Sequence, residues 1–202
     1  LLSPLGIASP AVRFDLPIDA GAKATVETFL QEANLASGYA VVNPGAGWDS
    51  KLWPAERFAQ VARHLGERHG IPSLVVWAGE RELGWAKEIV ADARPHATLA
   101  SRTTLVELAA IVHRARLFVG SDTGPLHMAA AAGAPCVGLY GPTRPEDCGP
   151  YGPKCIALQS HYQTGGSRER RKADNSAMQA ICVEMVCAAC DDLLSREHRT
   201  AA

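Results

Sequence analysis

Residues 117–140 read LFVGSDTGPLHMAAAAGAPCVGLY, and this stretch decides the fold. Residues 117–119 and 136–140 are short apolar runs, which is typical of buried strands. Between them, Pro125 presets a first helical turn and Gly133 closes a helix of small residues. A strand, a helix and a strand at this spacing predict a βαβ unit with a right-handed crossover.

The same alternation extends along most of the chain. It predicts four further strands, at residues 39–42, 74–77, 97–99 and 155–158, and helices at residues 22–35, 54–70, 82–93, 105–112 and 125–132. We therefore expect an α/β, Rossmann-like parallel sheet with helices on both faces. Residues 159–176 are rich in glycine and charge and predict an exposed loop, followed by a last helix over 176–194.

Composition excludes several classes of protein. A formal net charge of −1 argues against a dedicated nucleic-acid binder. No run of residues is apolar enough for a membrane span, and six cysteines are too few for a disulfide scaffold. Residues 1–20 contain three prolines and predict a linker, which leaves residues 21–202 as one domain. The chain begins without Met and without a signal-peptide pattern, so we expect a piece of a longer protein.

Ligands of open α/β sheets bind beyond the carboxyl ends of the strands. The loop after the first strand carries Gly45, Gly47 and Lys51, which suit a phosphate, although a turn with a solvated lysine is the alternative. Glu80 follows the second strand and could accept hydrogen bonds from ribose hydroxyls. Its alternative role is to favour the N-terminus of the next helix.

The loop after the fourth strand carries the sharpest signal. Asp122, Thr123, Gly124 and His127 surround the start of the helix that Pro125 begins, where backbone amides and the helix dipole favour an anion. Helix capping by Asp122 or Thr123 is compatible with that role. A rigid turn at residues 141–145 reaches the same edge. Four converging loops predict a site for a nucleotide or a phosphorylated sugar.

Four segments resemble the C-terminal half of glycosyltransferase family 9, the ADP-heptose:lipopolysaccharide heptosyltransferases. They are Asn-Pro-Gly-Ala through Lys-x-Trp-Pro at residues 43–54, Gly79-Glu80, Ser-Asp-Thr-Gly-Pro-x-His-x-Ala-Ala at 121–130, and Tyr-Gly-Pro-Thr at 140–143. The resemblance implies a GT-B architecture of two Rossmann-like domains. The C-terminal domain binds the nucleotide sugar, ADP-heptose. The N-terminal domain, which we expect to be missing here, carries the acceptor site and the general base.

Carried over residue by residue, the resemblance implies seven substrate-binding residues. Lys51 would meet the diphosphate and Glu80 the ribose, while Thr103 would pass near the base. Thr123 and Gly124 would hold phosphate. Asp122 and His127 would contact sugar or phosphate. Transfer would be inverting, with no metal and no cofactor besides the donor. No residue of the chain is assigned as the catalytic base.

The resemblance also implies the partners and the location. The partners are a nucleotide sugar and a lipopolysaccharide-core acceptor bound through the missing domain. The location is the cytoplasm, at the inner face of the inner membrane. Two alternative functions remain: a non-catalytic nucleotide-binding module, and a nucleotide-sugar epimerase of similar architecture. Preference for ADP favours transfer of heptose, and preference for UDP favours the epimerase.

Three further patterns have a simpler interpretation. Cys182, Cys187 and Cys190 have a spacing similar to an iron–sulfur motif, but they fall in a predicted amphipathic helix, and Cys187 and Cys190 are expected to be core or semi-buried thiols. His64 and His69 are five positions apart and share a helix face poorly, so they are not predicted as metal ligands. The basic run 168–172 is expected to be a solvated loop, with lipid headgroups or acceptor phosphates as the alternative contact.

Overall fold

The computed structural model describes Pro4, Gly6 and residues 12–200, with the backbone alone for residues 197–200. Nine of the twenty residues of the predicted linker lie outside the described residues. Residues 12–19 are irregular and mostly exposed, and the first helix begins directly after them. Among the described residues, no helix has both the length and the apolar character to cross a membrane.

Six parallel strands form one sheet, as predicted. They are β1 (Ala40–Asn43), β2 (Ser73–Val75), β3 (Ala97–Leu99), β4 (Leu117–Ser121), β5 (Cys136–Tyr140) and β6 (Cys155–Gln159). Their order across the sheet is β3-β2-β1-β4-β5-β6, and β1 pairs with β4 in a register that places Val41 beside Phe118. The α/β class with a doubly wound parallel sheet is therefore confirmed.

Helices cover both faces of the sheet. The described helices are α1 (Ala20–Glu32), α2 (Ala55–His69), α3 (Gly79–Asp92), α4 (Leu105–His113), α5 (Gly124–Ala131), α6 (Pro145–Cys148), α7 (Ser167–Lys172), α8 (Ser176–Gln179) and α9 (Val183–Thr200). The core on one face contains residues of α2, α3 and α9, and the core on the other contains residues of α1, α4 and α5.

Period-2 alternation within the strands divides their side chains between these two cores. Val42 packs with Phe58 and Leu65 in one core, whereas Val41 packs with Phe118 in the other, and all five are fully buried. Because both faces are covered, a strand of this sheet needs apolar residues at successive positions. That need explains the continuous apolar runs in the sequence.

Local sequence explains where the helices begin and end. Gly70 ends α2 with φ at 63°, a left-handed conformation that glycine adopts without strain. Thr104 caps α4, and its side chain and that of Glu107 form a reciprocal capping box. Pro54 lies just before α2 rather than in its first turn, since the helix begins at Ala55.

Two predictions about the C-terminal part need correction. Residues 159–176 contain α7 and are not a continuous loop. The helix predicted over 176–194 is broken into α8 and α9. The break occurs at Ile181, whose carbonyl oxygen accepts hydrogen bonds from Trp53 Nε1 at 3.0 Å and Arg57 Nη1 at 2.8 Å. These distant donors replace the bonds that a continuous helix would make.

The strand order places a cleft between β1 and β4. The chain leaves β1 toward α2 on one face of the sheet and leaves β4 toward α5 on the other face. Loops that diverge in this way open a crevice at the carboxyl ends of the two strands, which is the usual ligand site of doubly wound sheets.

Candidate functional site

Asn43 and Thr123 join the two loops that border the cleft. Asn43 ends β1 and is 4% exposed, and its Nδ2 donates to Thr123 Oγ1 at 3.4 Å and to the Gly45 carbonyl oxygen at 3.3 Å. Thr123 Oγ1 in turn donates to the Ser121 carbonyl oxygen at 3.1 Å. Hydrogen bonds between the ends of neighbouring strands therefore form the floor of the cleft.

A cavity of about 370 Å³ opens above the floor of the cleft. Loops after β1, β2, β3 and β4 contribute to it through Asn43, Gly45, Ala46, Gly47, Val76, Trp77, Ala78, Glu82, Thr103, Thr104, Leu105, Leu108, Thr123, Gly124 and Pro125. The mixture of apolar walls and a few convergent polar groups is typical of small-molecule sites. The predicted residues Thr103, Thr123 and Gly124 all line this cavity.

Lys51 and Asp122 form a buried ion pair beside the cavity. Lys51 Nζ lies 2.6 Å from Asp122 Oδ2 and 3.1 Å from the Asp122 carbonyl oxygen. The two side chains are only 11% and 8% exposed. An ammonium has three N–H donors; Asp122 takes two of them, and Nζ also lies 4.3 Å from the centroid of the Trp48 ring.

Asp122 is the centre of a polar cluster. Besides Lys51, Thr143 Oγ1 donates to its Oδ2 at 2.8 Å, and His127 Nε2 lies 3.1 Å from its Oδ1. Burial alone would raise the pKa of Asp122. The bonds to His127, Lys51 and Thr143 outweigh burial and hold the pKa well below its usual range. Asp122 is therefore an ionised anchor, whereas the more exposed His127 can still reach a ligand.

The first turn of α5 offers donors to the cavity. Thr123 occupies the N-cap position but makes no side-chain capping bond, and Pro125 lies in the first turn. Gly124 is the first residue of α5, so its amide has no partner within the helix, and the helix dipole favours an anion there. The capping role considered for Thr123 or Asp122 is not what their side chains do here.

The structure separates two glutamates that are close in sequence. Glu82 lines the cavity, and its carboxylate accepts a hydrogen bond from the Ala78 amide at 2.7 Å. Burial raises the pKa of Glu82, and the Ala78 bond partly opposes the increase. Glu80 is exposed on α3 and does not line the cavity. The helical turn accounts for this, because two positions along a helix change the face on which a side chain lies.

Gly45 explains why Glu82 can approach the loop after β1. A Cβ atom added at Gly45 would lie 2.3 Å from Glu82 Cδ. The sequence prediction chose Glu80 rather than Glu82. Both are acidic residues in the first turn of α3, so local spacing did not distinguish them.

The basic run 168–172 is helical rather than a loop, although four of its five residues are exposed as expected. It lies in α7. The guanidinium of Arg171 lies 4.7 Å from the centroid of the Trp48 ring, and Lys51 Nζ lies 4.3 Å from the same centroid. Arg170 Nη1 donates to the Pro142 carbonyl oxygen. Contacts with distant aromatic and carbonyl groups thus fold this segment against the rim of the site.

Two of the three cysteines of the predicted motif belong to the core. Cys187 and Cys190 are buried on α9, while Cys182 is exposed and precedes that helix. Burial raises the pKa of Cys187 to about 11 and raises that of Cys190 well above its usual value. These are protonated thiols rather than ready cluster ligands.

The strand order and the cleft define a doubly wound, Rossmann-like α/β domain with a ligand site at its switch point. The profile described as glycosyltransferase family 9 (heptosyltransferase) matches residues 2–177. The chain therefore belongs to glycosyltransferase family 9.

Individual proteins and solved structures resemble this chain in sequence or in fold. Lipopolysaccharide heptosyltransferase 3 of Escherichia coli is 27% identical over 197 residues, which cover 96% of this chain and 58% of the relative. A solved family 9 glycosyltransferase of Veillonella parvula matches with a TM-score of 0.78 and 27% identity over 96% of this chain and 58% of the other. E. coli heptosyltransferase WaaC with ADP-2-deoxy-2-fluoro heptose matches with a TM-score of 0.66 and 23% identity, over 95% and 52% of the two chains. The chain thus spans a little over half the length of these proteins.

Proposed function

We propose that this chain is the donor-binding part of a heptosyltransferase that transfers heptose from ADP-heptose to the lipopolysaccharide inner core. The observation that carries the proposal is the switch-point cavity, lined by a glycine loop and by the start of α5, in a member of glycosyltransferase family 9. Neither alternative, a non-catalytic module or an epimerase, has a comparable observation in its favour.

The donor would lie with its nucleoside in the cavity and its diphosphate at the start of α5. Glu82 is the acidic group that can accept hydrogen bonds from the ribose hydroxyls, so we assign it the part predicted for Glu80. Thr103 lies on the wall that the base would contact. Lys51, Thr123 and Gly124 would hold phosphate through charge, hydroxyl and amide.

During transfer, an acceptor hydroxyl would attack the anomeric carbon, the bond to the diphosphate would break, and ADP would leave. Lys51 and the N-terminus of α5 would stabilise the negative charge that develops on the diphosphate, with no metal ion required. The acceptor's proton needs a general base within hydrogen-bond reach. We place that base, and the site for the lipopolysaccharide-core acceptor, in residues of the complete enzyme outside this chain. Such an enzyme would work in the cytoplasm, in contact with the inner face of the inner membrane.

Calorimetry with ADP, UDP and NAD tests the donor assignment. We expect binding of ADP in preference to the other two. Glu82→Gln should weaken ADP binding about tenfold or more, because a hydrogen bond to a charged group is lost. Glu80→Gln is the matched control and should bind ADP as the unmodified chain does.

Two results would contradict the proposal. Preference for UDP would favour the epimerase, and equal affinity of the Glu82 and Glu80 variants would remove Glu82 from the site. The placement of the base is tested separately: heptose transfer by this chain alone would show that the chain contains its own base.

A further inference from the structure

Three side chains that commonly bind metals meet on the face of the sheet covered by α2 and α9. His64 Nε2 lies 2.7 Å from Asp191 Oδ1, and His69 Nε2 lies 2.6 Å from the same oxygen. The three candidate ligand atoms all lie within 4.8 Å of one another. Two imidazoles directed at one carboxylate oxygen form a ready set of nitrogen and oxygen donors.

This arrangement is not evident from the sequence, because a separation of five positions does not place two histidines on one helix face. His64 lies five residues before His69, the last residue of α2, yet both rings reach the same oxygen of Asp191. The third group comes from α9, which packs against α2. The spacing in sequence gives no reason to group the two histidines, and the packing of α9 on α2 brings both of them to Asp191.

Arg68 supports the carboxylate from its other side. Arg68 Nε lies 3.2 Å from Asp191 Oδ2, which leaves Oδ1 directed toward the imidazoles. An outer donor that orients a ligating carboxylate is a regular feature of metal sites. The His64, His69 and Asp191 side chains are 25%, 21% and 29% exposed, so the group is shielded yet reachable from solvent.

We propose that His64 Nε2, His69 Nε2 and Asp191 Oδ1 bind one divalent transition-metal ion of the zinc class, with water in the fourth position. Two imidazoles and a carboxylate suit zinc, cobalt or iron(II), whereas magnesium and calcium prefer oxygen ligands throughout. Tetrahedral zinc at about 2.0–2.1 Å from each ligand separates the ligand atoms by about 3.3 Å. Small side-chain rotations widen the present hydrogen-bond distances to that value.

The position of the group indicates a structural role. The helix α2 begins after the loop at the carboxyl end of β1 and ends before β2, so its histidines lie toward the opposite edge of the sheet from the cavity. A metal ion here would join the end of α2 to α9 and would take no part in sugar transfer. The proposal is therefore independent of the proposed function.

Titration of the metal-free, untagged chain with Co²⁺ and Zn²⁺ tests this site. We expect one ion per chain, with the visible absorption of tetrahedral Co²⁺ and without a thiolate-to-cobalt band. His64→Gln and His69→Gln should each abolish the tight binding. Arg68→Ala should weaken it about tenfold, as loss of an outer partner does. His113→Gln, at an exposed histidine on α4, is the matched control and should bind as before.

Thermal unfolding provides a second readout. Zn²⁺ should raise the Tm of the unmodified chain and EDTA should reverse the rise, whereas the His64→Gln/His69→Gln double variant, checked for native circular dichroism, should show no rise. Absence of metal binding, undiminished binding by the two single variants, or a thiolate-to-cobalt band would each overturn the proposal.

Discussion

The buried pair of Lys51 and Asp122 connects loops that follow two neighbouring strands. Each charge has lost most of its water, and each is compensated by the other at 2.6 Å. Removing one partner of such a pair is costly because the remaining charge stays buried without compensation. The pair therefore serves both the stability of the site and its affinity for phosphate.

Replacing Lys51 tests this dual role. Lys51→Met should reduce the free energy of unfolding by about 3 kcal/mol at neutral pH, because the Asp122 carboxylate loses its nearest charged partner. Urea unfolding measures the change. The double variant Lys51→Met/Asp122→Asn should recover much of the loss. Lys87→Met, at an exposed lysine on α3, should change stability by less than about 0.5 kcal/mol. An equal effect at Lys51 and Lys87 would contradict the burial argument.

The low pKa of Asp122 makes its contribution depend on pH. A carboxyl group whose pKa is lower in the folded state stabilises the fold above its unfolded pKa, near about 3.9, and loses that contribution as pH falls toward the folded pKa. The stability difference between the unmodified chain and Asp122→Asn should therefore be constant at neutral pH and shrink below about pH 4. Urea unfolding at several pH values measures it. A difference that stayed constant down to pH 3 would be inconsistent with the lowered pKa.

At the scale of elements, the adjacent residues Thr103 and Thr104, between β3 and α4, differ in what they contribute to stability. Thr104 caps α4 by accepting a hydrogen bond from the Glu107 amide at 3.2 Å. Both threonines line the cavity, but Thr103 is not the capping residue. Neighbouring residues of the same type thus provide a matched pair for experiment.

Alanine at each threonine should give a different result. Thr104→Ala should reduce the free energy of unfolding by about 1 kcal/mol, since an N-cap bond is lost. Thr103→Ala should leave stability nearly unchanged and weaken ADP binding. Urea unfolding and calorimetry on both variants measure the two quantities. If Thr103→Ala destabilised the chain as much as Thr104→Ala, the division of roles would be wrong.

At the scale of the whole molecule, the cleft couples the loops of four strands. A ligand that fills it binds only the folded chain, so it should stabilise the entire domain. At roughly 100 times its Kd, ADP should add about 2.7 kcal/mol, which raises the Tm of a chain of this size by about 5–10 °C. Thermal unfolding with and without ADP measures the shift.

Gly45→Ala should remove most of this shift, because the new methyl group would displace the Glu82 carboxylate. Gly84→Ala is the control, since a Cβ atom added there has no neighbour within 4 Å. An ADP-dependent shift that Gly45→Ala left intact would contradict the close approach of this loop to Glu82.

Much of the fold was predictable because its causes are local. Buried parallel strands require apolar runs, and helices end where a glycine such as Gly70 can adopt a left-handed conformation. The predicted strands consequently agree with the observed ones to within one or two residues. The prediction was wrong where distant contacts decide, as at Ile181, where Trp53 and Arg57 break the predicted helix.

The sequence by itself determined the alternation of strands and helices, the family, and the sheet edge at which Lys51, Thr123 and Gly124 meet. Those features depend on short-range backbone preferences and on the rule that parallel strands end at one edge. Only the tertiary structure decided that Lys51 pairs with Asp122, 71 positions away, and that Asp191 meets His64, 127 positions away. The physical reason is that such contacts depend on how the helices pack on the sheet, and that packing involves the whole chain at once.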